Sequence, residues 1–152
     1  MSEKQKTLKS SISFSGIGLH TGTKVDVTIN PAEDNFGYKF QRTDVEGEPI
    51  IPADVDLVVD TKRGTTIEKN GVRVATTEHL LAALYGSEID NALITINGPE
   101  VPIMDGSSKL FVDGIERVGL IEQTKEREYI ILKENISYRD PNTDSEILFE
   151  PS

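Results

Sequence analysis

Between Val72 and Tyr85 the chain changes from strand to helix with almost no connector. Val72 to Ala75 reads as an extended segment. It leads directly into a helix running from about Thr77 to Tyr85, with a Thr at the cap position and Gly86 as its stop. Leu80, Leu81 and Leu84 supply the helix's core face. Such a junction rules out an all-helical or an all-strand chain.

Other segments carry their own periods. Val25, Val27 and Ile29 alternate with Asp26, Thr28 and Asn30, the pattern of a half-buried strand. Tyr38 to Arg42 and Val55 to Val59 are further strand candidates. Asn70-Gly71 is a strong hairpin signal between Thr65 to Ile67 and Val72 to Val74. After the helix, Asn91 to Ile96 ends in β-branched residues that suit a strand. A loop from Asn97 to Ser108 follows, and Ser107 or Asp105 could cap a second helix. That helix carries Leu110, Phe111, Ile115 and Val118 at helical spacing and is weakened by Gly114. The expected fold is α+β, a two-layer sandwich of a mixed β-sheet and two helices. Gln123 to Glu128 is polar and without period, and reads as a linker. Tyr129 to Leu132, Ile136 to Arg139 and Ile147 to Phe149 then read as strands, with a turn over Asp140 to Asp144. No helix covers them. Residues 1–126 are therefore expected to form a first domain, and residues 127–152 a linker with the opening strands of a second.

With 152 residues and 36% hydrophobic content, one small core is attainable. A net charge of −10 argues against partners that are themselves polyanions, so neither nucleic acid nor an anionic lipid surface is expected. The absence of cysteine excludes disulfides and thiolate metal sites. The first residues lack the apolar run of a signal peptide, and no apolar stretch approaches the roughly 18 residues of a membrane span. The expected setting is cytoplasmic, without an integral membrane segment.

Three places could carry chemistry. Gly16-Ile17-Gly18-Leu19-His20-Thr21-Gly22 is not a dinucleotide loop: its third glycine comes one residue late and an alternating strand follows. A glycine-permitted turn with His20 at its tip is the plainer reading. Glu78-His79 puts a carboxylate and an imidazole at a helix start. Adjacent helical residues point about 100° apart, yet both can reach one cavity at a helix N-terminus. One reading makes Glu78 a general base beside a metal held by His79; the other makes them a first-turn acid and a solvated histidine. Lys62-Arg63-Gly64 could meet a phosphate or be ordinary solvated charge. Asn135-Ile136-Ser137 matches a glycosylation sequon, which has no meaning in a cytoplasmic protein.

Taken together, Gly16 to Gly22, Thr77-Glu78-His79-Leu80 and Pro99-Glu100-Val101-Pro102-Ile103-Met104-Asp105-Gly106-Ser107 resemble, in order and separation, the N-terminal half of the UDP-3-O-acyl-N-acetylglucosamine deacetylase (LpxC) family. Asp90-Asn91 fits as well. The resemblance implies a cytoplasmic zinc amidase of lipid A biosynthesis. It also implies two similar α+β domains, with the active site between them and a UDP-linked acylated sugar as substrate. On this resemblance His79 is one of three protein ligands of Zn2+ and Glu78 is the general base. Leu19 and His20 lie on the loop bordering the substrate. The other ligands, a His and an Asp, come from a His-Lys-x-x-Asp segment of the C-terminal domain, and that segment does not occur in these 152 residues. Lys62 and Arg63 depart from the family, which often carries apolar side chains there; they are taken as substrate-binding candidates. The chain on its own is therefore expected to be inactive. A non-catalytic module of the same fold, gripping a UDP-sugar or a protein partner, is the alternative.

Overall fold

The computed structural model describes residues 3–151. In chain order the elements are β1 (Lys4–Leu8), β2 (Ile12–Ile17), β3 (Lys24–Pro31), β4 (Tyr38–Arg42), β5 (Ile50–Pro52), a 3-10 turn (Val55–Leu57), β6 (Val58–Asp60), β7 (Thr66–Lys69) and β8 (Val72–Val74). Then come α1 (Glu78–Gly86), β9 (Ala92–Ile96), α2 (Lys109–Val118), β10 (Leu120–Glu126), β11 (Ile136–Arg139) and β12 (Glu146–Phe149).

The main sheet has the order β2-β3-β9-β4-β5. Its pairs are antiparallel except β4 with β9, which run parallel, so the sheet is mixed. The alternation read at Val25, Val27 and Ile29 gives the core side of β3, all three being buried. Ile94 and Ile96 of β9, Phe40 of β4 and Ile51 of β5 join them. Leu80, Ala83 and Leu84 of α1 and Phe111 and Ile115 of α2 supply the second layer. The chain is thus an α+β two-layer sandwich. The β6-β7-β8 sheet stands beside it, and Asn70-Gly71 makes the β7–β8 turn with both residues at positive φ, as a tight hairpin requires.

Several expectations are corrected. Gln123 to Glu128 is not a linker at its start, because β10 runs to Glu126 and pairs antiparallel with β1. The strand is polar because most of its side chains are exposed. Its register sets Lys4 opposite Glu126 and Lys6 opposite Glu122, a charge match between strands and not an apolar alternation. Val55 to Val59 is a strand only from Val58; Asp54 accepts a hydrogen bond from the Asp56 N–H and bends the chain into a 3-10 turn first. Tyr129 to Leu132 forms no regular strand, and Ile130 is 96% exposed. β11 and β12 do form and pair, joined by the expected turn, but every residue of both is exposed. Leu110 does not face the core; Gly114 does.

Arg127 fastens the end of the sandwich. Its guanidinium donates two hydrogen bonds to Asp90, at 2.7 and 2.8 Å, and its N–H donates to the Glu3 carbonyl. Burial at Gly114 explains a glycine inside α2. A Cβ there would come within 2.5 Å of Phe14 Cζ and 2.8 Å of Ile12 Cδ1, and Phe14 is itself packed edge-on against Phe111. Ala normally gains about 1 kcal/mol over Gly in a helix. Overpacking costs about 1–3 kcal/mol. Gly114→Ala is therefore expected to lower unfolding stability in urea; a variant more stable than the parent would contradict close packing of α2 on β2.

Candidate functional site

The site is assembled around a short turn. After β8, Ala75 pairs with Glu100 in a parallel bridge: its N–H donates to the Pro99 carbonyl and its carbonyl accepts from the Val101 N–H. Thr76 then turns the chain at φ 55°, a left-handed conformation that β-branched residues rarely adopt. Helix α1 starts two residues later at Glu78. Thr77 does not cap it through its side chain as expected; its hydroxyl donates to the Thr65 carbonyl instead, at 3.1 Å.

Glu100, 1% exposed, lies under this turn. Its carboxylate accepts from the N–H groups of His20 and Thr21, from the Thr21 hydroxyl at 2.8 Å and from the Thr76 hydroxyl at 2.8 Å. Burial pushes the carboxyl's pKa up, but these hydrogen bonds outweigh it and hold the group below the ordinary glutamate value. Gly18 permits the arrangement: a Cβ there would sit 2.4 Å from Glu100 Oε2. The glycine loop is therefore a turn, as read from sequence, closed by a hydrogen bond from the Gly22 N–H to the Gly18 carbonyl.

A pocket of about 520 Å³ opens beside it, lined by His20, Asp60, Lys62, Arg63, Gly64 and neighbouring residues of β7 and the Thr76 turn. The His20 imidazole Nε2 is 3.1 Å from the Arg63 carbonyl and ties the two loops across the pocket. Glu78 is not among the lining residues and lies behind Gly64, which is. Its Oε2 accepts from the Thr65 N–H at 2.9 Å, and a Cβ on Gly64 would come 3.2 Å from Oε1. His79 is half-buried on α1, and its carbonyl accepts from the Ser108 hydroxyl at 2.8 Å. That bond joins the start of α2 to the start of α1. At α2 itself, Asp105 ties down Ser107, and the Ser107 hydroxyl oxygen accepts from the Lys109 N–H.

The structure thus gathers His20, Lys62 and Arg63 around one pocket; Glu78 stands behind Gly64, and neither it nor His79 is among the lining residues. Leu19 is 59% exposed and is not among the lining residues. Sequence reasoning missed Glu100. The available sign was an acid in a proline-flanked, otherwise apolar run, where a solvated charge has no reason to be.

These features define an α+β domain with a carboxylate–imidazole pair at a helix start beside an open pocket. The family model described as UDP-3-O-acyl N-acetylglycosamine deacetylase (LpxC) matches residues 5–152, and the chain belongs to that family. It is 55% identical to a bifunctional enzyme LpxC/FabZ of Bacteroides thetaiotaomicron, over 97% of this chain and 32% of the relative. It is 48% identical to a UDP-3-O-acyl-N-acetylglucosamine deacetylase of Geotalea uraniireducens, over 90% of this chain and 44% of that protein. A deacetylase of the same name from Coxiella burnetii is 43% identical over 97% of this chain and 48% of its own length. The chain therefore spans between a third and a half of these curated relatives.

A catalytic zinc takes three protein ligands and a water. Among the described residues no group of three or more His, Asp or Glu is placed to hold a metal. The chain has two imidazoles: that of His20 meets the Arg63 carbonyl, and that of His79 is half-buried on α1. No helix among the described residues is long and apolar enough to cross a membrane.

Glu100 makes a pH prediction. Its folded pKa lies below the ordinary 4.5, so in the acid range the unfolded chain binds more protons. Its contribution to stability is present above that value and is lost as pH falls below it. Glu100→Gln should be less stable than the parent at neutral pH and lose less stability on acidification; parallel stability curves, by urea titration from neutral to acid pH, would contradict the buried charge.

Proposed function

We propose that this chain is the first half of a zinc-dependent amidase, which removes the acetyl group from the glucosamine nitrogen of UDP-3-O-acyl-N-acetylglucosamine in lipid A biosynthesis, in a cytoplasmic setting. The names of the relatives and the motif order support the substrate. The observation that carries the mechanism is the setting of Glu78: one oxygen is fixed by the Thr65 N–H, and the other faces Gly64, where no side chain intrudes. A carboxylate so held can take the proton of an attacking water. As the water oxygen bonds to the acetyl carbon and the carbon–nitrogen bond breaks, it passes that proton to the leaving amine. Products are acetate and the free amine.

His79 is proposed as one zinc ligand, with the others supplied from outside these 152 residues. Zinc, when bound, supplies Lewis acidity and makes water nucleophilic at neutral pH. Leu19, His20, Lys62 and Arg63 are proposed to border the substrate. The two cations answer the phosphates of a nucleotide sugar, an anion that the chain's charge of −10 otherwise repels. The second reading is a binding module of the same fold that grips the UDP-sugar without metal, for which the cations at the pocket suffice.

The deciding experiment is deacetylation of the UDP-sugar by the full-length protein. Glu78→Gln is expected to lower kcat by about 10²–10⁴-fold while zinc content is kept. Arg63→Ala should chiefly raise KM, by about tenfold or more, as loss of a charged hydrogen bond does. Turnover unchanged in Glu78→Gln would overturn the assignment of the base. Substrate binding without any turnover in the parent would favour the binding module.

A further inference from the structure

We infer that Glu100 and Thr76 are positioning residues, a buried clamp that sets the Glu78–His79 helix start against the loop carrying His20. The inference rests on the deacetylase reading and adds to it two residues that act by placing others. Thr76 sits two residues before Glu78, in a backbone conformation that costs free energy unless its surroundings hold it. What holds it is the hydrogen bond from its hydroxyl to Glu100 Oε1 together with the Ala75–Glu100 bridge. The same carboxylate takes the N–H groups of His20 and Thr21 and the Thr21 hydroxyl. Every group aimed at Glu100 is a donor, so its ionised form is acceptor-matched and an amide is not.

The consequence is a shared coordinate. The His20 loop and the Thr76 turn, both of which line the pocket, are referred to one buried group, and neither wall can shift without breaking bonds to it. Glu78 is then held at its upstream side by Thr76 and at its carboxylate by the Thr65 N–H. A displacement of about 1 Å at a reacting group can cost on the order of a hundredfold in rate. A clamp of this kind therefore shows in kcat, and not only in stability.

Thr76→Val keeps the volume and β-branching and removes only the hydroxyl; Thr76→Ser keeps the hydroxyl. Both are made in the full-length protein and assayed on the UDP-sugar, with thermal unfolding to confirm that each is folded at the assay temperature. Glu100→Asp, which keeps the charge and withdraws it by one methylene, is the third variant. We expect Thr76→Val to lose about tenfold or more in kcat with KM within about twofold, and Thr76→Ser to stay within about threefold of the parent. Glu100→Asp should lose in both kcat and KM, because it releases both walls. A folded Thr76→Val that keeps the parental kcat while the parent is active overturns the clamp and leaves the deacetylase reading standing. An inactive parent overturns that reading and the inference with it.

Discussion

A carboxylate removed from water has to be surrounded by donors, and at Glu100 four of them come from two separate segments of the chain. Unpaired, a buried carboxylate would cost several kcal/mol or would simply protonate. Paired as it is, it makes the position of the glycine loop and of the β8–α1 turn a single condition. The glycine at position 18 is needed because a side chain would occupy the carboxylate's place. The left-handed turn at Thr76 is tolerated because its hydroxyl belongs to the same network. Removing the carboxylate would leave buried donors unsatisfied at about 1–3 kcal/mol each.

From this point outward the rest of the site follows. α1 begins where the Thr76 turn ends, so Glu78 and His79 stand at a helix start whose origin is fixed from below. α2 is tied to the same place by the bond from Ser108 to the His79 carbonyl, and is seated on β2 by the missing side chain at Gly114. Glu78 and His79 are carried on a helix, while the cations at Lys62 and Arg63 lie on an exposed loop. Division of this kind suits a site in which the reacting groups must not move and the charged rim meets a solvated ligand.

Where burial imposes a period, the sequence already discloses the element. Val25, Val27 and Ile29 alternate because one side of β3 is core, and Asn70-Gly71 marks its hairpin because few residues accept two positive φ angles. β10 escaped because its pairing rests on backbone bonds and charge matching with β1, neither of which leaves an apolar period. Leu110 and Gly114 were assigned opposite roles, since helical spacing tells which residues share a face but not that a neighbouring ring fills the space of a side chain. Glu78 and His79 stand out as candidates by type and adjacency. At Glu100 the proline-flanked apolar run signals burial, but the clamp it makes is not legible, because its partners lie about 24 and 80 residues away.

The central claim is that His79 of this chain is one ligand of a zinc site completed from outside these 152 residues. Zinc titration by calorimetry, run on the 152-residue chain and on the full-length protein, addresses it directly. The account predicts one tight zinc per full-length molecule, abolished by His79→Ala, and only weak binding to the chain alone. Tight stoichiometric zinc on the chain alone, or tight binding to the full-length protein that survives His79→Ala, would contradict it.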